Sequence, residues 1–226
     1  MAIAFVQGTG VQSAGSVAYV EKAFASEVVS GNFVVVASSS YLIKTLTVTR
    51  SAGAATVGTV TADKRKDQGD SVGIDSCAIT GAGTLTMRTT SGSSAYLVIA
   101  ISEFSGVNNA AAVDDSNSSG SGSGGTDVHT GTIGTTAGDV LVGTCAYQAD
   151  ATTITEDATW TVIFEDETAD SQDISMIYKL ATSGDPGWTL GGKRTWASCG
   201  VSYKVAEAGG LSITATETLA FAESLD

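Results

Sequence analysis

Very little in this chain is basic, and almost nothing in it is histidine, proline or cysteine. Lys and Arg total 11 against 24 Asp and Glu, which gives a formal net charge of −13 and a pI near 4.2. Phosphate backbones are held by clustered cations that displace counterions, so a nucleic-acid partner is not expected. The single histidine, His129, means that any Ser-His-Asp triad must use it. Cys77, Cys145 and Cys199 are odd in number and lack CxxC or Cys/His spacing. That argues against a zinc site or a complete disulfide framework and leaves reduced, buried thiols as the expectation. The longest apolar runs, 33–37 and 96–101, fall far short of the roughly 18 residues that span a bilayer. Residues 1–8 have no basic region, long apolar stretch or cleavage site, so Sec-type export is not expected, and the chain reads as a soluble protein made in the cytoplasm.

What the chain has is glycine and small or β-branched residues. With 27 Gly, one Pro and 15% charged residues, the composition favours strands and tight turns over helices. At 226 residues it can bury roughly 70% of its unfolded surface, enough for a core without staples. Strand-like runs lie at 3–7, 16–19, 33–38, 44–50, 56–62, 71–79, 84–88 and 96–103, then at 128–133, 140–147, 160–165, 174–180, 188–190 and 195–205. Short strands at this spacing predict a sandwich or barrel. Leu46-Thr47-Val48-Thr49 and Thr84-Leu85-Thr86-Met87 alternate with period two, as antiparallel strands with one buried face do. Only 20–29 leaves room for a short helix.

The pattern occurs twice. Residues 74–103 and 174–203 match in strand texture and glycines at an offset of 100, and Gly31-Asn32-Phe33-Val34-Val35-Val36 is echoed by Gly138-Asp139-Val140-Leu141-Val142-Gly143 at an offset of 107. Segment 114–125, all Asp, Asn, Ser and Gly, carries no apolar side chain and is expected to be a mobile crossover between halves. Each half alone counts few strands and would leave a wide apolar face wet. The expected fold is therefore all-β: one two-sheet antiparallel β-sandwich of jelly-roll type over 1–208, with halves 1–113 and 127–208 joined by a loop at 114–126. Residues 209–226, with Leu211, Ile213, Leu219 and Phe221, form a C-terminal tail or arm that docks on its own sandwich or on a neighbour.

Three phrases carry a resemblance: residues 14–36 ending in Gly-Asn-Phe-Val-Val-Val, the strand end Ser102-Glu103-Phe104-Ser105-Gly106, and Thr135-Thr136-Ala137-Gly138-Asp139-Val140-Leu141-Val142-Gly143. With the closing Val201-Ser202-Tyr203-Lys204-Val205, they resemble a β-sandwich family of tailed-phage virion structural proteins, also seen in secreted bacterial surface proteins. The resemblance covers about residues 1–208 and implies a virion or surface role without catalytic residues to transfer. The absence of a signal peptide shifts weight to the phage reading. The expectation is a non-enzymatic capsid decoration or cement protein with no cofactor. Its partners would be the major capsid protein or other virion proteins and further copies of itself, in particles assembled in the host cytoplasm. The alternative is a receptor- or glycan-binding module of a tail fibre or bacterial surface protein.

Candidate chemistry is sparse. A triad would pair His129 with Ser105 or Ser198, but no GxSxG elbow occurs, and an exposed strand-end histidine is the simpler expectation. Many acidic pairs could be nominated for glycosidase chemistry, and nothing in their spacing selects one. Asp114 and Asp115, or Glu165, Asp166, Glu167, Asp170 and Asp173, offer oxygen ligands to calcium without EF-hand spacing, so solvated acidic loops are expected. Lys64-Arg65-Lys66, the only basic triplet, falls over Phe164-Glu165-Asp166 at the offset of 100. Equivalent hairpin tips of opposite charge would suit an interface between subunits. Trp160 and Trp196 are expected in the core, whereas Trp188, after the turn Gly184-Asp185-Pro186-Gly187, is the better candidate for exposure and the nominated ligand contact, the alternative being a cap on the sandwich end, the more frequent outcome for such a residue.

Overall fold

A computed structural model describes residues 2–42, 45–148, 153–166 and 172–207. The first half contributes β1 (Ala4–Gln12), β2 (Val17–Ala23), β3 (Phe33–Ser40), β4 (Leu46–Ala52), β5 (Thr56–Val57), β6 (Thr61–Gln68), β7 (Asp70–Gly81), β8 (Thr86–Ala95) and β9 (Leu97–Ser105). The second contributes β10 (Val113–His129), β11 (Ile133–Gly134), β12 (Val140–Tyr147), β13 (Ile154–Glu156), β14 (Thr161–Asp166), β15 (Asp173–Leu180), β16 (Ser183–Gly184) and β17 (Gly187–Tyr203). Every pairing is antiparallel, and the described residues include no helix. The window 20–29 leaves β2 and bends, burying Phe24 and Val28.

The all-β sandwich is as expected. In the first half one sheet runs β1-β9-β3-β7 with β5 and β6 both on β7, and a second sheet runs β2-β8-β4. Strand pairs nest in sequence, β1 with β9, β2 with β8 and β3 with β7, which is the jelly-roll order. In the second half β10-β17-β12-β15-β14 repeats the first sheet. The far ends of the two 17-residue strands supply the outer layer: Asp127, Val128 and His129 of β10 pair with Thr189, Trp188 and Gly187 of β17, and β13 pairs the same stretch of β17.

The two larger sheets pack face to face. Phe33, Val35, Ala37, Val72, Ile74 and Ala100 of one meet Val140, Val142, Met176, Cys199, Val201 and Tyr203 of the other in a single apolar cluster. Each sheet also buries its outer face within its own half. Val34, Val36, Ile99 and Ile101 pack beneath Val48 and Met87, while Leu141, Cys145 and Ile177 pack with Trp160 and Trp188. Burial on both faces explains the unbroken apolar runs of β3, β9 and β12. Each half carries its own second layer, but the inner face of its larger sheet is covered only by the other half, so a half standing alone would leave that apolar face wet.

The Gly/Ser segment is a correction. Residues 114–126 lie inside β10, paired to β17 over its length with bulges, and the halves are joined instead by 106–112. A strand of Ser and Gly suits this edge because β6 of the other half lies against it. A Cβ on Gly120 would come within 2.7 Å of the Cβ of Gln68, so a bare backbone lets β6 approach.

The repeat is real in topology but its register differs from the textual offset. Phe33↔Phe104 corresponds to Val140↔Tyr203, and Ala37↔Ile74 to Thr144↔Met176. Holding β3 to β12 at 107 places β9 over β17 at 99 and β7 over β15 at 102. The odd offset matters because a one-residue slip exchanges sheet faces. At 99, Ala100 falls on Cys199 and Phe104 on Tyr203, all in the shared cluster.

Candidate functional site

The site begins with β6, whose basic triplet lies mid-strand and not at a hairpin tip. Lys64, Arg65 and Lys66 pair with Ile74, Gly73 and Val72 of β7. Arg65 turns onto its own sheet: its Nη2 lies 2.6 Å from both carboxylate oxygens of Asp75, which is almost wholly buried. Lys64 reaches the Ser116 carbonyl of β10 at 3.5 Å, so the triplet serves the seam between halves. Its equivalents Glu165 and Asp166 close β14 opposite Ser175 and Ile174. The basic triplet is therefore a mid-strand segment and not a hairpin tip, whereas Glu165 and Asp166 end the edge strand β14.

A second carboxylate stands beside this pair. Asp63 Oδ2 accepts a hydrogen bond of 2.6 Å from the phenol of Tyr203, a fully buried residue of β17. Desolvation raises the Asp63 carboxyl above its ordinary value, against the opposing pull of Ser76, Tyr203 and Arg65. Desolvation also lifts Asp75 to about 6 despite Arg65, with Asp63 adding repulsion. Burial and the neighbouring Asp63 push the Tyr203 phenol upward, and burial takes the Cys77 thiol to about 12, so both stay neutral. Two carboxylates, one guanidinium and one phenol thus converge where the halves meet. Asp63 and Ser76 line an open cleft of about 350 Å³ with Phe33, Ala78, Ala112 and Val113. The arrangement can hold or release a proton close to neutrality.

The other nominated residues are dispersed. His129 is partly exposed, its Nε2 3.1 Å from Asp127 and its Nδ1 3.5 Å from Asp185. The Ser198 hydroxyl donates to the backbone carbonyl of His129 at 2.8 Å, and Ser105 reaches the Ala4 carbonyl, so neither serine is brought to the ring. Asp114 pairs with Lys204 at 3.4 Å, and Asp115 accepts from the backbone N–H of Gly134 and Ser116, each at 2.8 Å. Among the described residues no three His, Cys, Asp or Glu gather as a metal site, and Glu167 and Asp170 lie outside them.

Trp188 is corrected outright. It is fully buried, and its indole N–H donates to the Ser175 hydroxyl at 3.0 Å, so it seals the second core and presents nothing to a ligand. Trp160 and Trp196 are buried as expected, and so are the three free cysteines. Leu211, Ile213, Leu219 and Phe221 lie outside the described residues.

Two further features escaped sequence reasoning. Glu103, at the end of β9, is buried and accepts from Gln7 Nε2, Asn32 Nδ2 and the Val29 N–H at 2.7–2.9 Å, tying 29–32 to the sheet. A cavity of about 550 Å³ opens beside it, lined by Ser30, Asn32, Ser105, Asn108, Asn109 and Glu207 among others. No described helix is long and apolar enough to cross a membrane. No protein-family model, curated protein or solved structure matches the chain.

Proposed function

We propose that the protein is a non-enzymatic structural component of a phage virion, a decoration protein that coats or stabilises the capsid. The observation that carries this reading is the seam: two jelly rolls locked through one apolar cluster make a stiff block suited to bearing load between neighbours. Charge divides between the rolls. Residues 1–112 hold seven basic and seven acidic side chains, whereas 113–207 hold four and fourteen. Such asymmetry favours one orientation on a charged lattice of major capsid protein. Further copies of the chain are the other proposed partners, with Leu211, Ile213, Leu219 and Phe221 as the reaching arm.

Quantitative mass spectrometry of purified particles tests the proposal. Hundreds of copies per particle are expected of a decoration protein, a handful would indicate a fibre tip, and absence from particles would end the reading.

A glycan- or receptor-binding module is the second reading, favoured by the cavity beside Asn32, Asn108 and Asn109, whose amide groups suit sugar hydroxyls. Specific binding of the isolated chain on a glycan array would favour it over decoration.

A further inference from the structure

We propose that the seam between the two jelly rolls is a proton-operated latch, in which Asp63 and Asp75 share one guanidinium and one phenol and take up a proton on mild acidification, drawing β6 and β17 together. The geometry supplies every part. Asp63 and Arg65 project from β6, Asp75 and Ser76 from β7, and Tyr203 from β17 of the other half. The linker and the start of β10 face the same cleft with Asn109, Ala110, Ala112 and Val113 and add no charge. Lys64 is directed to the Ser116 carbonyl, and the neutral Cys77 thiol completes the titratable surroundings.

With both carboxylates ionised, two negative charges face one positive charge at the seam, and one negative charge stays uncompensated on a partly desolvated pair. One proton makes the cluster neutral while keeping the Tyr203 hydrogen bond, since a carboxylic acid still accepts through its carbonyl oxygen. Both carboxyls sit above their ordinary values, so the joined seam binds more protons than a parted one. Tightening then develops as pH falls through about 6 and is complete below the ordinary aspartate range. The open cleft lets water and protons reach Asp63 without unfolding.

Hydrogen exchange of the full chain tests the latch. After correction for intrinsic rates, β6 and β17 amides should be about fourfold more protected near pH 5.5 than near pH 8, the change expected for a carboxyl lifted from 3.8 to about 6. Asp63→Asn keeps an acceptor for Tyr203 and removes the surplus charge, so this ratio should fall to within about twofold. Both measurements are made in an Asp70→Asn background, because Asp70 at the β6–β7 turn gives stability a separate pH dependence over the same range. An undiminished ratio in Asp63→Asn overturns the proposal. Should that variant fail to fold, carboxyl carbon NMR of the unaltered protein decides: an Asp75 signal titrating near pH 6 with the Asp63 signal responding in the same step supports the latch, and both titrating as ordinary aspartates overturn it.

Discussion

Tyr203 and Asp63 stand 140 residues apart in the chain and 2.6 Å apart in space, joined by a hydrogen bond that crosses from one jelly roll to the other. The phenol is fully buried and the carboxylate partly so, which makes the bond expensive to lose.

Tyr203→Phe keeps the ring against Phe33 but strips a donor from a desolvated carboxylate. Stability should fall by about 1–3 kcal/mol, read from urea denaturation at neutral pH. A loss no larger than a surface substitution gives would mean that Asp63 finds its compensation elsewhere.

Asp70 makes a separate prediction. It is buried at the β6–β7 turn with one long bond from the Leu42 N–H, and desolvation lifts its carboxyl to about 7. A folded-state value above the unfolded one makes the native protein bind more protons between about pH 4 and pH 7. Its stabilising contribution is complete below pH 4 and is lost as pH rises through 7. Asp70→Asn should raise stability at pH 8 by on the order of 2 kcal/mol, flattening the melting temperature measured from pH 5 to pH 8.

Trp188→Ala empties the centre of the second core and orphans the Ser175 hydroxyl. A cost of about 3–5 kcal/mol is expected by chemical denaturation, with loss of near-ultraviolet circular dichroism. Had Trp188 been a ligand platform, the same change would barely touch stability.

Gly106 opens the linker at φ +76, and a Cβ there would lie 2.3 Å from the Ala2 carbonyl oxygen. Gly106→Ala should destabilise by about 1–3 kcal/mol in thermal or urea unfolding, whereas alanine at Gly15, where a Cβ meets nothing within 4 Å, should be nearly neutral.

The strands that were legible in the sequence are those buried on both sides. Phe33 to Ala37 and Leu97 to Ile101 read as continuous apolar runs because each face packs on a different core. β10 was illegible for the opposite reason. It owes its order to pairing with β17 and to the cover of β6, neither of which leaves an apolar trace in Ser and Gly. The textual offset of 100 found the repeat but blurred its phase, since alternating small and β-branched residues look alike one position apart. The seam cluster drew no attention because Asp63, Asp75 and Tyr203 share no motif and meet only through the fold. Trp188 followed a turn and read as exposed, yet the paired ends of β10 and β13 close over it.

Two identical subunits meeting face to face must wear the same outside. Joining the rolls in one chain removes that obligation, because each can change its exterior while the shared seam is kept. The balanced charge of residues 1–112 and the acidic excess of 113–207 are what that freedom permits. A body of this kind has a front and a back, and whatever touches it can tell which is which.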